Sequence, residues 1–359
     1  MIVTYIAFAV GFFFAMNIGA SGAAASMGIA YGAGAVRRKT IALLICGGGI
    51  FLGAAIGGGE VVKTIGSGIV PSSLLTVKIV VIILASAAVS LFFANVIGIP
   101  LSTSEITVGS VVGVGIAYKA LYLTNLVTVM FFWLFIPVVA FLLAFGASKL
   151  ISKIEKTYPV MKAKQPKRWL AVLLIGAGFL EAFSAGMNNV ANAVGPLVGA
   201  GLLSVSAGTL VGGLFVSLGA VFFGGKVLET NGKRITRFSL LEGCAISGTG
   251  GILVIIASIF GLPVPLTQVT TSAIIGLGTA QNGFYLWQKS IINQMMKVWI
   301  VSPVFSLVIS YAMVKVFLDS DFYTFIVIAS VFLATIGSIS LLKTIRKEKR
   351  TFHEEGGGI

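Results

Sequence analysis

The chain has 359 residues, 57% of them hydrophobic and only 10% charged, with a mean hydropathy of +1.05. That balance excludes a soluble domain, and apolar runs of about 18 residues or more recur from end to end, long enough to span a bilayer. A net charge of +14 would point to nucleic acid in a soluble protein. Here the basic residues gather in short loops between apolar runs, where they report topology instead.

In chain order, the N-terminal run lacks a basic leader, so no cleaved signal peptide is expected. It carries Asn17 and then the small-residue stretch "GASGAAASMGIAYGAG" (19–34), followed by the basic cluster "RRK" (37–39). An apolar run with Cys46 leads to a nearly neutral loop at 60–73, a run opened by Lys78, and "GIPLSTSEITVGSVVGVG" (98–115). After a further run comes the linker "KLISKIEKTYPVMKAKQPKR" (149–168). The next span holds Glu181 and "SAGMNNVANAVGP" (184–196), with three asparagines among Gly, Ala and Val. An uncharged loop near 202–205, the basic "KVLETNGKRITR" (226–237), a run with Glu242 and Cys244, and "GLPVPLTQVTTSAIIGLG" (261–278) follow. The chain closes with "DSD" (319–321), an apolar run at about 322–342 and the basic tail "KTIRKEKR" (343–350).

Two stretches repeat. Residues 98–115 align with 261–278 without a gap, placing Gly98, Pro100, Thr107, Gly113 and Gly115 on Gly261, Pro263, Thr270, Gly276 and Gly278. Residues 19–34 align with 186–201 at a similar offset, Gly19 on Gly186 and Gly28 on Gly195. The order of basic and neutral loops reverses between the halves, which is the mark of inverted-topology repeats. The expected fold is an all-α polytopic membrane protein with two such repeats and broken helices. The repeats are 1–148 and 169–316, joined by a cytoplasmic linker at 149–168, with a last helix and basic tail in 317–359. With all four basic clusters inside, the chain makes about eleven crossings from an outside N-terminus to a cytoplasmic C-terminus. The 98–118 segment is expected to cross as two half-helices broken near its hydroxyls.

Chemistry is expected where Pro or Gly breaks recur in both repeats. Ser102, Thr103, Ser104, Glu105 and Thr107 follow one break, and Thr267, Gln268, Thr270 and Thr271 the other. Hydroxyls, the carboxamides of Asn17, Asn188, Asn189 and Asn192, and helix N-termini converging at mid-membrane suit a small oxyanion. The bland alternative is that small residues let helices pack closely and hydroxyls bond their own backbone. Glu105 and Glu181 are ionisable groups within spans and therefore candidates for proton coupling. Glu242 and Lys78 sit nearer span ends and could reach the interface. Neither a disulfide nor a metal centre is expected: both cysteines lie in apolar runs, and the one histidine, His353, is in the tail. No cofactor is expected, and a nucleophile–base pair for an enzyme is lacking.

"GMNNVANAVG" resembles the "GANDVANA.G" signature of the inorganic phosphate transporter (PiT) family, and "GIPLSTSEITVGSVVG" resembles its "P.STTH...G...G" motif. The resemblance covers nearly the whole chain and implies a carrier of a tetrahedral oxyanion coupled to cations. The departures matter. The family's aspartate positions hold Gly22 and Asn189; its first-half asparagine positions hold Ser21 and Ala25; its histidine positions hold Glu105 and Gln268; Pro265 and Leu266 replace Ser and Thr. A protonated phosphate favours a carboxylate acceptor, whereas sulfate carries no proton and is repelled by one. "MNIGASGAAASMG" with "PLSTSE" is similar to the CysP-type sulfate permeases, a branch of this family feeding cysteine synthesis. The resemblance therefore implies a sulfate permease of the plasma membrane, with protons rather than sodium as the coupling ion. Ser21, Ser102, Thr103, Ser104, Asn188 and Thr267 would donate to sulfate. Asn17 and Asn192 would hold the broken helices, supported by Asn189, Gln268 and Thr270. Phosphate, thiosulfate or molybdate carriage, sodium coupling and a passive channel are the rival readings. The apolar outer faces are compatible with a homodimer.

Overall fold

The computed structural model describes residues 1–97, 102–158, 168–235, 238–283 and 290–331. Its first half comprises α1 (Ile2–Ala20), a 3-10 turn (Ala23–Met27), α2 (Gly28–Gly32), α3 (Lys39–Gly57), α4 (Gly59–Lys63), α5 (Val77–Ile97), α6 (Thr103–Ala117) and α7 (Leu123–Thr157). Its second half comprises α8 (Arg168–Gly199), α9 (Val205–Phe223), α10 (Gly225–Ile235), α11 (Leu240–Ile259), α12 (Leu266–Asn282) and α13 (Ser290–Phe317). No strand occurs among the described residues. Residues Met1–Ser310 form one compact unit; a second unit starts at Tyr311, within α13. The second unit includes a helix at Phe322–Val331, whose first turn is closed by Thr324 N donating to Asp321 (3.0 Å). Those bonds hold the Asp321 carboxyl below its usual range. The rest of the span expected at 322–342, the basic tail and residues 159–167 of the linker lie outside the described residues.

The opening spans of the two halves match in length. The first span of each covers 31 and 32 residues, and the second covers 19 in both. They also exchange partners: α1 packs on α9, while α8 packs on α3. The contacts are backbone on backbone. A Cβ on Gly19 would stand 1.9 Å from the Val216 carbonyl oxygen, and one on its repeat mate Gly186 would stand 2.0 Å from that of Ile50. The small-residue stripes thus serve close packing, where a missing side chain lets backbones meet.

Two helical hairpins hold the repeated motifs. In α5–α6 the chain returns to where it began, because Tyr122 N donates to Ile69 O (2.9 Å) and Asn125 to Gly68 O (2.8 Å). In α11–α12 the Gln281 amide donates to Glu242, joining the end of one helix to the start of the other. Glu242 is buried and forms a capping box with Ser239. The hairpins enter from opposite ends. The base of α11–α12 follows α10, which the Lys39–Glu229 ion pair (2.8 Å) ties to the start of α3. The base of α5–α6 lies beyond the other end of α3, 19 residues or ~28 Å away at 1.5 Å per residue.

Two expectations are corrected. The 98–118 segment is not a pair of half-helices around its hydroxyls: Ser102 is extended (φ −85°, ψ 128°), and one helix starts directly after it. The hydroxyls of Thr103 and Ser104 thus open the helix. Nor is the asparagine stretch broken. α8 runs unbroken to Gly199, whereas its counterpart breaks at Ser21 (φ −98°, ψ −93°). The α8 carboxamides find partners on other elements and do not compete with the helix ladder. Six described helices are long and apolar enough to cross a membrane, against about eleven expected crossings; α6, with 15 residues, is shorter. The α7 face of Phe131, Leu134, Val138 and Leu142 is exposed, as a lipid-facing stripe at helical spacing requires.

Candidate functional site

The two hairpin tips meet beside the middle of α8. At the start of α6, Ser102, Thr103, Ser104 and Glu105 are all buried. The backbone N–H groups of Thr103, Ser104 and Glu105 have no partner inside their helix, the first such bond being Ile106 N to Ser102 O (3.1 Å). The positive end of the helix dipole adds to them. At the second tip Pro265 is extended (φ −77°, ψ 93°) and α12 starts at Leu266.

The α8 asparagines hold both tips. Asn188 donates to Leu262 O (2.9 Å) and Ser258 Oγ (3.0 Å), and its oxygen accepts from Val264 N (3.1 Å) and Ser104 Oγ (3.4 Å). That satisfies all four of its hydrogen-bonding positions. Asn192 donates to Ser104 Oγ (3.2 Å) and Thr103 Oγ1 (3.4 Å), while its own oxygen is buried without a partner. Asn189 accepts from Thr103 Oγ1 (3.5 Å). Gln268 of α12 donates to Glu105 of α6. The second Glu105 oxygen is buried and unpartnered, with the likewise unpartnered Ser302 hydroxyl beside it.

The structure thus brings together Ser102, Thr103, Ser104, Glu105, Asn188, Asn189, Asn192 and Gln268. Asn188 is a clamp with both its hydrogens committed to protein, in place of the free donor expected. Three further residues stand apart from this bonded cluster. Asn17 donates to Phe13 O of its own helix (2.9 Å), and Ser21 donates to Ile18 O (3.3 Å). Thr267 is exposed on the first turn of α12. Thr270 instead donates to Glu181 (2.8 Å), in a second buried polar group.

Trp133 was not singled out by its sequence context, yet its indole donates to Pro263 O (2.7 Å) and fixes the α11–α12 tip from α7. A signal existed: Trp133 and Pro137 recur as Trp299 and Pro303, a third repeated pair. Ser258 and Ser302 lacked any such signal, being single hydroxyls in apolar helices.

Among the described residues the cluster contains no Lys, Arg or His. It offers neutral donors and a helix N-terminus around buried oxygens, and its one ionisable group is Glu105. Such a site can take the charge of a small oxyanion without a fixed cation. No group of three or more potential metal ligands occurs among the described residues.

Known proteins bear on this arrangement. The chain is 59% identical over 348 residues to the "Sulfate permease CysP" of Bacillus subtilis, covering 97% of each chain. It is 29% identical over 380 residues to a putative phosphate permease of Pyrococcus furiosus, covering 81% of this chain and 90% of that one. Its fold matches a solved structure, "The sodium-dependent phosphate transporter", with a TM-score of 0.77 and 25% identity, over 89% of this chain and all of the other. Residues 18–310 match the phosphate transporter family. This multi-pass membrane protein belongs to the phosphate transporter family.

Proposed function

We propose that the chain is a secondary-active sulfate permease that takes up sulfate together with protons. The observation that carries the reading is a cluster of hydroxyls, carboxamides and a helix N-terminus that lacks the two aspartates of the family signature. The positions that hold aspartate in the family signature are Gly22 and Asn189 here, so a dianion meets hydroxyls and N–H groups in place of carboxylates. The likeness to the Bacillus subtilis sulfate permease supports it. Sulfate would sit at the α6 N-terminus, received by Ser102, Thr103 and Ser104 and the free N–H groups behind them. Asn188, Asn189 and Asn192 would hold the hairpin tips in register. Ser21 and Thr267 would join the anion when the halves rock between outward- and inward-facing states. Glu105 would carry the coupling proton, since an unpaired carboxylate within the membrane is costly. The N-terminus would lie outside and the basic tail in the cytoplasm.

The second reading is a phosphate carrier, favoured by the phosphate permeases among the relatives and by the sodium-dependent structural neighbour. Labelled sulfate uptake into proteoliposomes separates the two. Under an inward proton gradient, uptake that excess phosphate leaves unchanged supports the proposal. Uptake driven by sodium and abolished by phosphate overturns it.

A further inference from the structure

A second buried carboxyl lies outside the anion cluster. Glu181 on α8 is 3% exposed, and Ser247 on α11 is 0% exposed. Thr270 on α12 donates to Glu181 Oε1 at 2.8 Å. The other oxygen, Oε2, is buried and faces the buried Ser247 hydroxyl, and no other polar group among the described residues bonds either of them. The surroundings are tight. A Cβ on Gly251 would stand 3.1 Å from Glu181 N, and one on Gly250 would stand 3.4 Å from Thr270 Oγ1. The ionisable side chain facing it from α3 is Cys46, whose thiol donates to Ala23 O (3.3 Å). α11 also carries Glu242, engaged by Ser239 and Gln281, and the half-buried Cys244. α12 has no charged residue. Among the described residues Glu181 forms no ion pair.

An ionised carboxyl in such a place needs a positive partner. One carboxyl and two hydroxyls supply too few oxygens for a bare hard cation, which takes about six or more. A proton needs a single acceptor, and a carboxyl bearing it is neutral, while the Ser247 hydroxyl, both donor and acceptor, can face either form.

We propose that Glu181 is a second proton site and that the carrier moves two protons with each sulfate, making transport electroneutral. This rests on the proton-coupled permease reading and specifies its stoichiometry. α12 links the two carboxyls: Gln268 bonds Glu105, and Thr270, two residues on, bonds Glu181. Residues two apart point to different sides of a helix, so the sites are separate and do not form a shared dyad. Two protons cancel the two charges of sulfate.

The test is sulfate accumulation at steady state in proteoliposomes, at clamped zero voltage, across a series of pH gradients. Two coupled protons give about a hundredfold change in accumulation per pH unit and one gives about tenfold, since each tenfold step is one proton equivalent. The wild type is expected to follow the steeper slope and to ignore an imposed potassium-diffusion potential. Glu181→Gln is expected to halve the slope on the logarithmic scale. It should also become voltage-sensitive, losing about tenfold in accumulation per 59 mV inside-negative. A wild-type slope of one proton, or a two-proton slope retained in Glu181→Gln, overturns the proposal and leaves the permease reading intact. Accumulation independent of the pH gradient defeats that reading and this inference together. If Glu181→Gln does not fold, the wild-type slope and voltage response decide alone.

Discussion

Glu105 and Gln268 occupy the same position in the two repeats and are hydrogen-bonded to each other. The two repeated motifs of the sequence thus meet through one pair of aligned side chains. Identical residues here would set carboxylate against carboxylate, a repulsion relieved by making one of them an amide. This meeting point carries one carboxyl and one amide, and Glu105 holds its second oxygen next to the anion cluster.

Glu105→Gln tests coupling separately from binding. Its amide can still pair with Gln268, so the hairpins should hold. Uptake driven by a proton gradient is expected to disappear while sulfate–sulfate exchange persists. Proton-driven uptake at the wild-type level would remove Glu105 from the coupling role.

Asn188→Ala leaves Leu262 O and Val264 N buried without their partner. Each such group costs ~1–3 kcal/mol. Thermal unfolding in detergent should show a loss of at least about 2 kcal/mol, with uptake lost alongside. A wild-type melting temperature would mean that the tip is held by other contacts, such as the Trp133 indole.

Asn189→Asp returns a carboxylate beside Thr103. Sulfate affinity should fall at least about tenfold, ~1.4 kcal/mol, through repulsion. Competition should shift toward phosphate, which can donate its proton to the new acceptor. Unchanged sulfate affinity would sink the account of selectivity given above.

Gly19→Ala and Gly186→Ala each place a methyl about 2 Å from a carbonyl oxygen of the facing helix. Forced overpacking costs ~1–3 kcal/mol, and here the neighbour is backbone that cannot swing away. Both variants should lose folded protein on size exclusion. Gly176→Ala, with nothing within 4 Å, should be tolerated and slightly stabilising.

Trp133→Phe removes one hydrogen bond to Pro263 O while keeping most of the ring's packing. Stability should fall by only ~0.5–1.5 kcal/mol. Uptake should fall several-fold, because the tip that presents Gln268 and Thr270 loses a fixed point. An unchanged uptake rate would show that the tip needs no anchor on α7.

Much of this was legible in the residues. Hydropathy and loop charge sufficed for an all-helical membrane chain, because a bilayer leaves few other ways to satisfy backbone groups. The repeated motifs pointed to both hairpin tips, since Pro and Gly act locally on the backbone. The resemblance to the family signature also implied that its aspartate positions hold Gly22 and Asn189. Where each carboxamide spends its hydrogens was beyond the sequence, because that depends on what another helix brings within 3 Å. Asn17 and Asn188 read alike, yet one bonds its own helix and the other ties two hairpins together. Thr267 and Ser104 are repeat mates, yet one is exposed and the other buried in the bonded cluster. Glu105 and Glu181 both read as costly charges in a span. Only the packing of α12 between them sets one beside the anion cluster and the other in a separate polar group with Ser247 and Thr270.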